Sequence, residues 1–226
     1  MIGVVAAMDE ERDAFLEFMT DVKDIEEDNI IYHVGKIADK DVVLVKSGVG
    51  KVACAVVLTC FIKKFRPELV INTGSAGSLN RNVHVGDVFL ATKVAYHDVD
   101  VFGDSWIPSF DNENSIVFFA DTKLTKLFDT IKGDHVHVGD MVSGDSFIYR
   151  DDQIRNILDH FPTTLCGEME SGSVAQTCRF FNIPWMIVRS ISDDTFAKNN
   201  ESDFALGLEN ASKNSAYISK QIIEVY

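Results

Sequence analysis

The chain has 226 residues, 46% of them hydrophobic, and its 21 Lys and Arg against 35 Asp and Glu give a formal net charge of −14. That length suits one large α/β domain better than two, so residues 1–226 are expected to form a single domain. An acidic surface repels phosphate backbones, which argues against nucleic acid as a partner. No apolar run approaches the roughly 18 residues needed to span a bilayer, so no membrane partner is expected either.

Ile2–Ala7 reads as a buried first strand. The start "MIGVVAAMDEERD" turns acidic without a basic leader, which speaks against a signal peptide. Glu10–Met19 has helical spacing, and Ile30–Val34 and Val42–Val45 follow as strands. Gly50–Phe65 reads as a helix closed by Pro67, and Leu69–Asn72 as another apolar strand. Val88–Val94 and Asp98–Val101 look β-like, and Thr122–Ile131 looks helical. His135–Val142 alternates as a strand does, and Asp151–Phe161 has helical periodicity. A helix over Ser173–Phe181, a strand over Pro184–Val188 and a long helix over Phe204–Val225 complete the series. Apolar strands alternating with helices imply a central sheet, mainly parallel, with helices on both faces. Cys54, Cys60, Cys166 and Cys178 form no CxxC pair and sit in apolar stretches, as free thiols in a reducing cytoplasm would.

In such sheets the ligand crevice lies beyond the carboxyl ends of the strands. Here those ends read "AMDEE", "NTGSAG", "SGDSF", "GEMES" and "RSISDD". Any one of them could be a turn or a helix cap, and Glu10 and Glu11 alone could serve a helix dipole. Five polar ends together point to a small-molecule site. "SGVGKVA" places Gly48, Gly50 and Ala53 on the looser dinucleotide fingerprint. That fingerprint also wants an acid at the next strand end, where this chain has Asn72-Thr73-Gly74. No P-loop spacing is present, so no nucleotide cofactor is expected. His135 and His137 share a strand face without further ligands nearby in sequence, and His97 is isolated, so no metal is expected.

The segments "AAMDEE", "KSGVGKVA", "INTGSAGSL", "VGDVF…YHDVDV", "SGDSFI", "EMES" and "VRSISD" resemble, in order and spacing, the 5′-methylthioadenosine/S-adenosylhomocysteine nucleosidases. These belong to the purine nucleoside phosphorylase/uridine phosphorylase superfamily. The resemblance runs from Met1 to the terminal helix. It implies a three-layer α/β/α sandwich with a mixed central sheet, no cofactor and a cytoplasmic homodimer. The implied reaction is hydrolysis of the N-glycosidic bond of 5′-methylthioadenosine, S-adenosylhomocysteine and 5′-deoxyadenosine, in methionine salvage and S-adenosylmethionine recycling.

By the same resemblance Asp193 is the general acid that protonates adenine N7, and Glu11 is the base that activates water. Ser75 and Arg189 are the other water-orienting groups, with Arg189 close to Glu11 and Asp193 raised in pKa. Glu170 is the acceptor of the ribose hydroxyls, and Met169 and Met8 pack near the sugar. Phe147 stacks on adenine while the Ile148 backbone reads its edge. Gly77 and Ser192 belong to the same site. Phe204 walls the 5′ cavity, and Phe102, or Trp106 or Phe110 beside it, reaches the neighbouring site of the dimer. Outside this context Phe147 and Met169 would read as core residues.

Two alternatives stand beside hydrolysis. Phosphorylases of the superfamily hold phosphate with arginines, commonly one just before the glycine turn, where this chain has Asn72-Thr73. Glu11 would repel phosphate, and Arg12, one helical position on, points about 100° away from it. A non-catalytic adenosine-binding protein would need neither Glu11 nor Asp193.

Overall fold

The computed structural model describes residues 1–99, 116–131, 135–197 and 200–226. Strand β1 (Ile2–Ala6) leads to helix α1 (Asp9–Leu16), strands β2 (Thr20–Glu27), β3 (Ile30–Ile37) and β4 (Lys40–Lys46), and helix α2 (Lys51–Phe65). Then come β5 (Leu69–Ser78), β6 (Val88–Tyr96), β7 (Val117–Phe119) and α3 (Thr122–Thr125), which passes into a 3-10 turn over Lys126–Thr130. The remaining elements are β8 (Val136–Ser143), α4 (Asp151–His160), β9 (Thr164–Glu168), α5 (Ser171–Phe181), β10 (Trp185–Asp194) and α6 (Asn200–Val225).

The strands join one mixed sheet. β1 lies parallel between β4 and β5, and β4, β3 and β2 continue outward as antiparallel neighbours. From β5 the pairing runs through β10, β6, β8 and β9 and returns to β5. Five strands therefore close into a ring, and β1, β4, β3 and β2 extend from it as a wing. The mixed sheet matches the expected fold class; the ring closure does not follow from any strand's own residues.

Successive strand residues face opposite sides, and on β1 both sides are covered. Val4 belongs to the core cluster that holds Phe15 of α1 and Ile222 of α6, whereas Val5 belongs to the one that holds Leu58 and Phe61 of α2 and Val174 of α5. Val4 and Val5 are both fully buried, each stabilising the fold by about 1.5–3 kcal/mol on area grounds. This double burial explains why the strand reads as a continuous apolar run.

Several elements differ from the sequence reading. β2 was not expected, because all eight of its residues are exposed and its charged sequence suits a sheet edge. β5 and β10 run past their apolar stretches to Ser78 and Asp194, because their polar residues pair with each other in parallel register, Ser190 opposite Ser75 and Asp193 opposite Gly77. The expected helix over Thr122–Ile131 is a short helix and a 3-10 turn. Asp98 and Val99 belong to no strand, and residues 100–101 lie outside the described residues.

Candidate active site

Glu11 is the third residue of α1, and its carboxylate reaches back over the helix start. Oε2 accepts from the amides of Ala7 at 2.8 Å and Met8 at 3.2 Å, the reciprocal half of a capping box. Oε1 accepts from the Ser75 amide at 2.9 Å and the Ser75 hydroxyl at 3.1 Å. Four donors thus pin a side chain that is only 3% exposed. The close approach of β5 depends on Gly74: a Cβ there would lie 2.6 Å from Glu11 Oε1 and 2.8 Å from Arg189 Nη1.

Arg189 is fully buried on β10. Nη2 donates to Glu168 Oε2 at 2.5 Å, to Asn72 Oδ1 at 2.5 Å and to Ser171 Oγ at 3.0 Å. Its ion pair is with Glu168, at the end of β9, while Glu11 lies on the other side of Gly74. Arg189 and Glu11 meet only across Gly74, and Arg189 does not border the cavity described below. Burial opposes its charge, but Glu168, Glu11 and Glu170 outweigh it and raise its pKa. Glu168 also accepts from the amides of Glu170 and Ser171 at the start of α5, a favourable place for an acid.

Glu170 Oε1 accepts from the Gly50 amide at 2.7 Å. Burial and the neighbouring Glu168 push its carboxyl up to about 8, against the opposing pull of Arg189. On β10 the register against β5 shifts between Ile191 and Asp193. Such a bulge re-aims the side chains that follow it. Asp193, 1% exposed, accepts from the Ser192 hydroxyl at 2.7 Å. Phe147, in the turn after β8, stands edge-on to Phe204 of α6, with ring centroids 5.5 Å apart and planes at 75°.

These elements enclose a cavity of about 270 Å³. Met8, Glu11, Ser75, Gly77, Phe147, Ile148, Met169, Glu170, Ser192, Asp193 and Phe204 all border it. Phe102, with Trp106 and Phe110, lies outside the described residues. Val49, Ser146 and Glu168 also line the cavity without having been singled out. Each sits inside a quoted motif, Val49 between the two glycines of "SGVG" and Glu168 at the head of "EMES". Among the described lining residues there is no Lys, Arg or His.

Among the described residues no group of three or more His, Cys, Asp or Glu is disposed to hold a metal ion. His135 Nδ1 and His137 Nε2 instead lie 3.2 and 2.8 Å from the Asp87 carboxylate. His97 is buried, and that burial lowers its pKa. Among the described residues no helix is long and apolar enough to cross a membrane.

Comparison with known proteins adds a second line. A family model described as the phosphorylase superfamily matches residues 1–224. A 5′-methylthioadenosine/S-adenosylhomocysteine nucleosidase of Staphylococcus haemolyticus is 38% identical over 228 residues, covering 100% of both chains. One of Haemophilus influenzae is 38% identical, covering 99% of this chain and 98% of its own. Among solved structures, the nucleosidase of that name from Neisseria meningitidis, in complex with methylthio-immucillin-A, superposes with a TM-score of 0.91 at 35% identity. That match covers 100% of this chain and 99% of the other. The S. pneumoniae structure, with a transition-state inhibitor, gives 0.92 at 32% identity, covering 99% and 98%.

Proposed function

The chain belongs to the phosphorylase superfamily and, within it, to the 5′-methylthioadenosine/S-adenosylhomocysteine nucleosidases, and from that premise we propose that it hydrolyses the N-glycosidic bond of these two nucleosides. The products are adenine and the 5-thioribose compound. The observation that carries this reading is a cavity bordered by Glu11, Glu168, Glu170 and Asp193 with no cationic side chain among its described lining residues. Phosphate as nucleophile would meet like charge there, whereas water would not. Arg189, the nearby cation, is already committed to Glu168. This favours hydrolysis over phosphorolysis.

In the proposed reaction C1′–N9 breaks as positive charge develops on the ribosyl ring. Asp193 gives its proton to adenine N7, and the Ser192 hydroxyl at 2.7 Å holds Asp193 Oδ1 in place. Water adds its oxygen to C1′ and gives a proton to Glu11. The lone-pair sites of Glu11 are filled by its four donors. Of the two bonds from Ser75, the hydroxyl's, at 3.1 Å, is longer than the amide's and is the one that water displaces. Glu170 accepts from the ribose hydroxyls at its carboxyl oxygens. Phe147 stacks on the base, Ile148 offers its backbone to the base edge, and Met8 and Met169 pack on the sugar. Phe204 and Val49 border the 5′ substituent.

A homodimer is part of the same reading. Val49 borders the cavity while remaining 54% exposed, and Val52 and Val56 continue the apolar stripe along α2 at 74% and 57%. A second copy covering that stripe would bring its own residues to the cavity mouth. The enzyme so described would act in the cytoplasm, recycling the nucleoside by-products of S-adenosylmethionine chemistry.

The test is substitution of the acid. Wild-type protein should release adenine from 5′-methylthioadenosine, and Asp193→Asn should lower that rate by about 10²-fold or more while the nucleoside still binds by calorimetry. Retained turnover in the variant would remove Asp193 from its role.

A further inference from the structure

Helix α2 starts at a residue with no side chain to cap it. Gly50 holds φ at +93°, and its amide is the one that donates to Glu170 Oε1. The next amide, that of Lys51, donates to Asp145 Oδ1 at 2.7 Å. A carboxylate from a distant turn therefore supplies the missing cap. The Lys51 ammonium donates to both oxygens of Asp98, at 2.9 and 2.8 Å. Asp98 Oδ2 in turn accepts from the Asp145 amide at 2.8 Å, and Asp145 Oδ2 lies 3.9 Å from the same ammonium.

Lys51, Asp98 and Asp145 form a closed circuit that joins α2, the segment after β6 and the turn after β8. None of the three borders the cavity, and the proposed reaction uses none of them. Both ends of the circuit nonetheless run directly into the site. Val49 immediately precedes Gly50, and Ser146, Phe147 and Ile148 immediately follow Asp145.

We propose that Asp145, held by Asp98 and Lys51, is a positioning residue for the ribose-binding carboxylate. By capping α2 it fixes the Gly50 amide against Glu170, and it anchors the Ser146–Ile148 turn at the same time. The packing leaves little slack, since a Cβ on Gly50 would lie 3.0 Å from Asp145 Oδ1. The charged groups facing Glu170 are Glu168 on β9, Arg189 on β10 and Glu11 on α1. The Gly50 amide is the neutral donor that aims the carboxylate from the α2 side. Its hydrogen bond occupies one acceptor site and leaves the others for two ribose hydroxyls.

The inference rests on Glu170 taking those hydroxyls, and a double-mutant cycle separates the two claims. Asp145→Ala should raise KM for 5′-methylthioadenosine about tenfold, equivalent to about 1.4 kcal/mol of lost ribose binding, and change kcat by less than about threefold. Asp145→Asn keeps an oxygen for the Lys51 amide and should recover most of that loss. In a Glu170→Gln background the effect of Asp145→Ala should shrink below about threefold, because residues acting through one another are not additive. A Glu170→Gln enzyme with wild-type KM would overturn the ribose reading itself. An impaired Glu170→Gln enzyme in which Asp145→Ala still raises KM by its full tenfold would overturn only the positioning role. So would an Asn variant as impaired as the Ala one.

Discussion

Replacing Gly74 by Ala would add one methyl group at the point where β5 passes between Glu11 and Arg189. The new Cβ would lie 2.6 Å from Glu11 Oε1 and 2.8 Å from Arg189 Nη1, where ordinary contact is 3.4–4 Å. Relief therefore requires a displacement of about 0.8 Å at the carboxylate oxygen. Arg189 can yield little, because its Nη2 is bonded to three buried groups. Glu11 is the side that gives way, at the expense of its bonds to Ser75. Overpacking of this kind costs about 1–3 kcal/mol of stability. A misplacement near 1 Å at a reacting group costs about 10²-fold in rate. The expected outcome is a kcat about 100-fold lower, with KM little changed because Gly74 does not border the cavity. Adenine release followed by ultraviolet absorbance, alongside urea unfolding, measures both effects. A folded Gly74→Ala protein with kcat within about threefold of wild type would refute the placement of Glu11 as the base.

Two further outcomes concern the buried carboxylates. Arg189→Met removes the countercharge of Glu168 and leaves a buried acid unpaired, which costs about 3–5 kcal/mol. A loss below about 1 kcal/mol in urea unfolding would contradict that ion pair's place in the fold. Burial and Glu168 push the Glu170 carboxyl up to about 8, whereas an ordinary glutamate loses its proton near 4.5. Between those values the folded state binds the extra proton, so stability falls as pH rises. Glu170→Gln should flatten that fall in thermal unfolding from pH 5 to 8, and an unchanged slope would contradict it.

The polar side of the cavity was legible because each strand ends in residues that a plain turn does not require. Glu11, Ser75, Glu170 and Asp193 all sit at such ends, and the motif order carried them further than periodicity could. The ion pair of Arg189 was not legible, for a physical reason. Its partner Glu168 lies only 21 positions away in sequence but on another strand, and the pairing depends on β9 joining β5 inside the closed ring. The pattern of β9 says nothing about which edge it will meet. β2 escaped notice because an exposed edge strand carries charge in place of alternation. The Asp145 cap was invisible for a similar reason: it joins residues 94 positions apart, and α2 itself opens on a glycine.

The central claim is that water, not phosphate, attacks the ribosyl carbon. It is tested most directly by following adenine release from 5′-methylthioadenosine in rigorously phosphate-free buffer and again with added phosphate. Equal rates, with free 5-methylthioribose as the sugar product, are the predicted result. Turnover that requires phosphate and yields a ribose 1-phosphate would contradict it.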